Sequence, residues 1–266
     1  HERKEAMKES LLNTPKLGFG CMRLPLLDEK DPTSIDIEHF KTMVDAFIEG
    51  GGTYFDTAFV YHNGTSETAL REALVKRYPR DAYTVATKCL AWAAPDAATA
   101  QSNFVREMKD RGKIRNVGFS IHDGAEALDD ILAEHPDMDF VQLQVNYLDW
   151  EDPVVQSRRC MEVAQKHGVP VIVMEPARGG RPIDLPARVS DVFKKAAPDR
   201  SIASWAYRFC YNLPNVITVL SGMSSIEHVR ENVDDYRSFG SKPFSPEEQL
   251  AFDEAVTALH AVDTIA

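Results

Sequence analysis

The chain has 266 residues, 44% of them hydrophobic, and a net charge of −11 from 30 basic and 41 acidic side chains. That length can bury a sizeable core as one domain, since barrels of about 250 residues are routinely single domains. The acidic balance argues against nonspecific nucleic-acid binding, and no apolar run approaches the ~20 residues a membrane span needs.

The first ten residues, HERKEAMKES, are charged and lack the apolar region of a signal peptide, and the start at His1 suggests trimming. Cys21, Cys89, Cys160 and Cys210 lie far apart and never form C-x-x-C, so spacing gives no zinc or iron–sulfur signature. Scattered cysteines in an acidic chain point to a reducing cytoplasm. An anionic ligand must be held by local features such as helix N-termini, not by the global field.

In chain order, strand and helix patterns alternate almost throughout, which predicts a parallel sheet with crossover helices. The first strand is expected at Leu17–Met22. A helix follows with Phe40, Met43, Val44, Phe47 and Ile48 on one face, stopped by Gly50–Gly52. The second strand is expected at Tyr54–Ala58, then a helix at Ser66–Lys76 with Leu70, Ala73 and Leu74 inward, then a third strand at Tyr83–Thr87. After an Ala- and Pro-rich stretch, Cys89–Gln101, a helix is expected at Phe104–Lys113 and a strand at Ile114–Phe119.

The later units read as a helix bearing Leu128, Ile131 and Leu132, a strand Phe140–Val145, a helix Pro153–Lys166 and a strand Val169–Met174. Glu175–Pro186 is irregular; helices at Ala187–Lys195 and Ile202–Tyr211 precede a last strand, Val216–Leu220. Ser224-x-x-Glu227 fits a capping box at the next helix, and Ser245-Pro246-Glu247-Glu248 opens a final one. This gives seven strands, one short of a closed eightfold barrel, with the irregularity between Lys88 and Ile114.

The chemistry-bearing string is FDTAFVY at Phe55–Tyr61, followed by a strand ending in Thr87–Lys88. It sets an acid, Asp56, a phenol, Tyr61, and an ammonium, Lys88, at the C-terminal ends of two successive strands. An amine beside a phenol is expected to hold the phenol's pKa down, because the phenolate gains an opposite charge. A tyrosine so tuned can give a proton to a carbonyl oxygen while a hydride arrives at carbon. Taken singly, such residues read equally as a strand end and a solvated charge.

The strings GFGCMRLP (Gly18–Pro25), FDTAFVYHNGTSE (Phe55–Glu67), GKIRNVGFSIH (Gly112–His122), FVQLQVNY (Phe140–Tyr147), MEPARGG (Met174–Gly180) and SGMSSIEHVREN (Ser221–Asn232) resemble those of the aldo-keto reductases, in a bacterial branch with the GFGCMRLP start. The resemblance runs from Lys16 to about Phe239. It implies an α/β fold, a (β/α)8 TIM-type barrel over residues 1–266 with one helix–strand unit missing from the chain. It implies NADPH-dependent reduction of an aldehyde or ketone, with NADH as the alternative cofactor, a small-molecule carbonyl partner and no metal.

By this resemblance Tyr61 is the general acid, Lys88 tunes it and Asp56 pairs with Lys88. Met22 and Arg23 fall in the cofactor-facing first string. Ser120 and Gln142 match positions that bond the nicotinamide carboxamide, or are polar strand ends satisfied by water. Met174 falls against the nicotinamide, or packs in the core. Gly222, Met223 and Ser224 match a turn offering backbone amides to phosphate, His228 lies near the ribose, and Glu231 and Asn232 match a pair contacting adenine; the alternative is a solvated helix face. Tyr147, Trp92 and Trp150 are candidate apolar walls of the substrate site, or packing aromatics.

Two departures stand out. The family's catalytic histidine, expected roughly 30 residues after Lys88 in a D-x-x-x-x-H string, has no counterpart, and His122 belongs to the following strand end. Residues unseen at the Gln101/Ser102 junction are the expected explanation, with a true deletion as the alternative. The cysteine-rich iron–sulfur module found after the barrel in this branch is also lacking in the residues shown, where no cysteine follows Cys210. A catalytically impaired barrel, serving as a nicotinamide-binding scaffold or redox sensor, is the second functional expectation.

Overall fold

A computed structural model describes residues 11–89, 105–178, 185–240 and 242–263. Trp92 and the Gln101/Ser102 junction lie outside them. Seven strands are present among the described residues: β1 (Leu17–Gly20), β2 (Tyr54–Asp56), β3 (Thr84–Ala86), β4 (Gly118–Ile121), β5 (Phe140–Gln144), β6 (Val171–Met174) and β7 (Val216–Ser221). The chain divides into two compact units, one of His1–Phe119, Met138–Phe140 and Leu220–Asp234, the other of Ser120–Asp137, Val141–Val219 and Asp235–Ala266.

In the first unit, β1 pairs in parallel with β2 and β2 with β3, in the register Gly20↔Asp56 and Asp56↔Ala86. Helix α1 (Ile37–Glu49) is N-capped by Asp36, whose carboxylate accepts from the His39 amide at 3.0 Å. Its buried face is Phe40, Met43, Val44 and Phe47, with Ile48 only half-buried. The rings of Phe19, Phe47 and Phe55 meet at centroid distances of 5.2 to 5.6 Å, so strand and helix share an aromatic core. Gly51 ends the helix with φ +91°, which a side chain would disfavour.

Helix α2 starts at Ser66–Leu70 and widens into a π-turn at Arg71–Val75, burying Leu70, Ala73 and Leu74 as the pattern requires. Helix α3 covers residues 105–110, within the expected span. β1 and β2 are buried at every position, whereas β3 is half-buried at every position. Its only strand partner among the described residues is β2. β4 is likewise half-exposed, and it begins at Gly118, not at Ile114. The reason is a contact with a residue distant in the chain: Asp139 accepts from the Val117 amide at 2.8 Å, and Val117 O accepts from the Asp139 amide at 2.7 Å.

In the second unit, β5, β6 and β7 are parallel neighbours, with Gln142↔Ile172 and Gln144↔Met174 in register. Helix α4 (Ala125–Glu134) buries Leu128 and Leu132. Helix α5 (Ser157–Lys166) starts later than Pro153 because Asp152 Oδ1 takes the Val154 and Val155 amides at 2.8 Å and Gln156 turns left-handed, φ +53°. Helices α6 (Ala187–Ala196) and α7 (Ile202–Tyr211) lie where the pattern puts them. Helix α8 (Ile226–Asp235) opens on Ser225, whose Oγ accepts from the His228 amide at 3.3 Å. The cap is thus one residue after the expected Ser224.

The final helix, α9 (Pro246–Asp263), carries a complete capping box: Ser245 Oγ accepts from the Glu248 amide at 3.2 Å, and Glu248 Oε2 accepts from the Ser245 amide at 2.8 Å. Tyr147 is 1% exposed inside the cluster of Phe193, Trp205 and Phe252, and Trp150 packs edge-on against Phe209 at 5.2 Å. Tyr147 is therefore core, not a wall of the mouth; an apolar ring looks the same in sequence either way. No described helix is long and apolar enough to cross a membrane.

Candidate active site

The register explains why the acid and the amine meet. Asp56 sits opposite Ala86, and Lys88 lies two residues beyond Ala86, so the strand alternation returns it to the same face. Lys88 Nζ is 2.5 Å from Asp56 Oδ1, 2.9 Å from Thr57 O and 3.3 Å from Tyr61 Oη. An ammonium has three protons, and all three are assigned. Tyr61 Oη therefore accepts from Lys88, which leaves the phenol's own proton to point elsewhere.

Asp56 is 2% exposed, and burial pushes its carboxyl upward while Lys88 pulls it back. Burial also works against the charge of Lys88, but Asp56 outweighs it and the ammonium is held above its ordinary value. Lys88 is thus an ammonium at neutral pH. For Tyr61 the expected sign does not hold: burial dominates and lifts the phenol above its ordinary value, with the attraction to Lys88 only a partial offset. Cys21, fully buried beside them, is pushed well up by burial and then by Asp56, so it is an inert thiol.

Several supports here had no motif in the sequence. Thr57 Oγ1 and Ser66 Oγ are 2.9 Å apart, and Ser66 Oγ reaches Cys21 O at 3.3 Å. Thr87 Oγ1 donates to Glu67 at the start of α2. His62 Nε2 takes the Leu24 amide at 3.0 Å. A residue count between polar side chains could suggest the Thr57–Ser66 pair, but nothing in the pattern marks His62.

The remaining candidates of the first unit gather around the end of β7. Met22 and Arg23 lie on an exposed 3-10 turn after β1, and the Arg23 side chain runs 3.7 Å from where a Gly222 Cβ would stand. Gly222 and Ser224 are exposed, while the Met223 side chain is buried, leaving only its backbone to offer. Ser224 Oγ is 3.4 Å from His228 Nδ1, and His39 Nε2 accepts from the Ile226 amide at 3.3 Å. Glu231 is exposed; Asn232 instead donates through Nδ2 to Ser221 Oγ at 3.0 Å, tying α8 to the end of β7.

In the second unit Gln142 is 5% exposed, and its Nε2 lies 3.6 Å from Met174 Sδ, so these two candidates touch. Ser120 is exposed at the end of β4. A buried network missed in the sequence follows β5: Asp149 Oδ2 accepts from Gln144 Nε2 at 2.8 Å and Asn146 Nδ2 at 2.7 Å, and Arg178 Nη1 lies 3.3 Å from Oδ1. Among the described residues no group of three or more His, Cys, Asp or Glu is arranged to hold a metal ion.

Within the first unit, Arg23 beside an unhindered Gly222, at the exposed N-terminal turn of α8, has the chemistry to meet an anionic phosphate. Within the second, the sheltered Gln142 amide beside the Met174 thioether has the chemistry to meet a carboxamide.

The family model described as the aldo/keto reductase family matches residues 16–103 and 90–256. A Klebsiella pneumoniae aldo-keto reductase solved with NADPH is 21% identical, with 91% of this chain and 90% of that one covered and a TM-score of 0.67. An aldo-keto reductase from Bacillus halodurans, solved without ligand, is 22% identical over 90% and 91%, with a TM-score of 0.60. The glycerol dehydrogenase of Gluconobacter oxydans is 17% identical over 92% of each chain, with a TM-score of 0.67. Comparison with curated proteins gives no match. Matched along most of its length by the family model, and sharing the TIM-type barrel fold with seven strands among the described residues, the chain belongs to the aldo/keto reductase family of oxidoreductases.

Proposed function

We propose that the chain reduces an aldehyde or ketone to an alcohol with NADPH, Tyr61 acting as general acid. The observation that carries this is the Lys88 ammonium shared among Asp56, Thr57 and Tyr61. Because burial keeps the phenol protonated at neutral pH, Tyr61 is a donor there and not a base. As its proton leaves, the charge developing on Oη is met by Lys88, so the site favours the transition state over the ground state. Asp56 holds Lys88 charged and in place.

When bound, the nicotinamide supplies the hydride. Ser120, Gln142 and Met174 would hold its ring end. Met22, Arg23, Gly222, Met223 and Ser224 would hold the phosphates, and His228, Glu231 and Asn232 the adenosine end. Arg230, exposed beside Glu231, supplies the positive charge that favours a 2′-phosphate and hence NADPH over NADH. The test is NADPH consumption with a simple aldehyde, compared with Tyr61→Phe.

One observation favours a second reading, a nicotinamide-binding scaffold or redox sensor. Among the described residues no histidine hydrogen-bonds to Tyr61 or Lys88; His39 and His62 are both engaged with backbone amides. Tight NADPH binding with no turnover on any aldehyde would select that reading.

A further inference from the structure

His62 and Asn63 are consecutive non-glycine residues in the left-handed region, φ +52° and +51°. That conformation is unfavourable for a residue with a Cβ unless local bonds offset it. The offset is visible at His62. Its Nε2 lies 3.0 Å from the Leu24 backbone nitrogen and its Nδ1 lies 2.9 Å from Pro32 O. A carbonyl only accepts and an amide N–H only donates, so Nδ1 carries the proton and Nε2 the lone pair. The ring is neutral, in one tautomer, and both nitrogens are used. The His62 carbonyl in turn accepts from the Thr65 amide at 3.1 Å and Thr65 Oγ1 at 2.8 Å.

The two ring bonds join three pieces of chain: the turn bearing Tyr61, the turn Cys21–Arg23 that ends at Leu24, and the loop at Pro32. Tyr61 is the residue immediately before the clamp. Its contact with Lys88, 3.3 Å, is already at the long end of a hydrogen bond, so a small shift of the turn would lose it. We propose that His62 is a positioning residue: by accepting the Leu24 amide it fixes the turn that sets Tyr61 against Lys88. This rests on the assignment of Tyr61 as the general acid. His62 does not itself touch the reacting atoms.

Two variants separate the bonds. His62→Asn tolerates the left-handed backbone and can donate to Pro32 O, but is too short to reach the Leu24 amide. His62→Gln places an amide oxygen near the position of Nε2 and can accept from Leu24. Each is assayed for kcat and KM in aldehyde reduction, and for Tyr61 ionisation by ultraviolet titration with the Tyr61→Phe spectrum subtracted. The expected result is a kcat lowered about tenfold to a hundredfold in His62→Asn, with KM for the aldehyde little changed and kcat largely recovered in His62→Gln. In His62→Asn the phenol should titrate at a pH displaced from the wild type's, because the turn that holds it both against Lys88 and away from water is loosened; His62→Gln should match the wild type. Wild-type kcat in both variants, or equal losses in both, would overturn the proposal. If the wild type reduces no aldehyde, the acid assignment fails by itself, and the phenol titration alone then decides: a shift confined to His62→Asn supports the clamp, and no shift overturns it.

Discussion

Lys88 Nζ stands 2.5 Å from Asp56 Oδ1, while Asp56 Oδ2, equally buried, has no hydrogen-bond partner among the described residues. The carboxylate thus depends on Lys88 for its charge balance. Lys88→Met should leave it uncompensated, lowering stability by up to about 3–5 kcal/mol, toward the low end because the lysine is a quarter exposed. Aldehyde reduction should collapse as well. Removing the ammonium raises the Tyr61 phenol further, so alcohol oxidation, which needs a phenolate, should recover partly in alkaline buffer. A pH–rate profile unchanged by the substitution would take Lys88 out of the mechanism.

Tyr61→Phe removes only the proton donor. Turnover with an aldehyde should fall ~100-fold or more, with NADPH affinity nearly intact. Steady-state rates and a cofactor fluorescence titration check both halves. Retention of more than about a tenth of wild-type turnover would remove the acid role.

Glu248 links the cap of α9 to two arginines, with Oε1 2.9 Å from Arg208 Nη1 and 2.5 Å from Arg200 Nη1. Arg208 first, then the capped Ser245 amide and Arg200, bring its carboxyl down to about 2 despite partial burial. A carboxyl depressed on folding stabilises the native state above its unfolded value of 4.5, and that stabilisation is lost as pH falls toward 2. The effect is at most about 3 kcal/mol before solvent screening reduces it. Urea melts from pH 6 down to about 2 should show this loss in the wild type and a shallower one in Glu248→Gln. Parallel curves would mean that Glu248 titrates normally.

A Cβ on Gly118 would stand 2.3 Å from the Phe140 carbonyl oxygen, whereas one on Gly51 would meet nothing within 4 Å. Gly118→Ala must therefore push two strands apart, at about 1–3 kcal/mol. Gly51→Ala carries only the penalty of its positive φ, about 1 kcal/mol. Thermal unfolding of both variants should show the larger drop in Tm for Gly118→Ala; the reverse order would contradict the close strand approach.

Element order was legible because burial imposes period: Phe40, Met43, Val44 and Phe47 could hardly serve another structure, and α7 begins and ends where its apolar face does. Boundaries set by a distant side chain were not legible. β4 starts late because Asp139, some twenty residues on, holds Val117, and α5 starts late because Asp152 captures two amides before Gln156 turns left-handed. Tyr147 stayed open between substrate wall and packing ring because ring chemistry does not say which side of a strand end is filled by Phe193 and Phe252.

By itself the sequence determined that an acid, a phenol and an amine end two neighbouring strands, because strand period and chain order are local properties. It also showed seven strand patterns where a closed eightfold barrel has eight, with the irregularity between Lys88 and Ile114. Only the tertiary structure decided which way the phenol titrates, because desolvation depends on every chain segment that excludes water from Tyr61, and here it exceeds the pull of Lys88. The tautomer of His62 was decided in the same way. An imidazole can donate or accept at either nitrogen, and the choice came from a carbonyl at Pro32 and an amide at Leu24, both some thirty or more residues away in the chain.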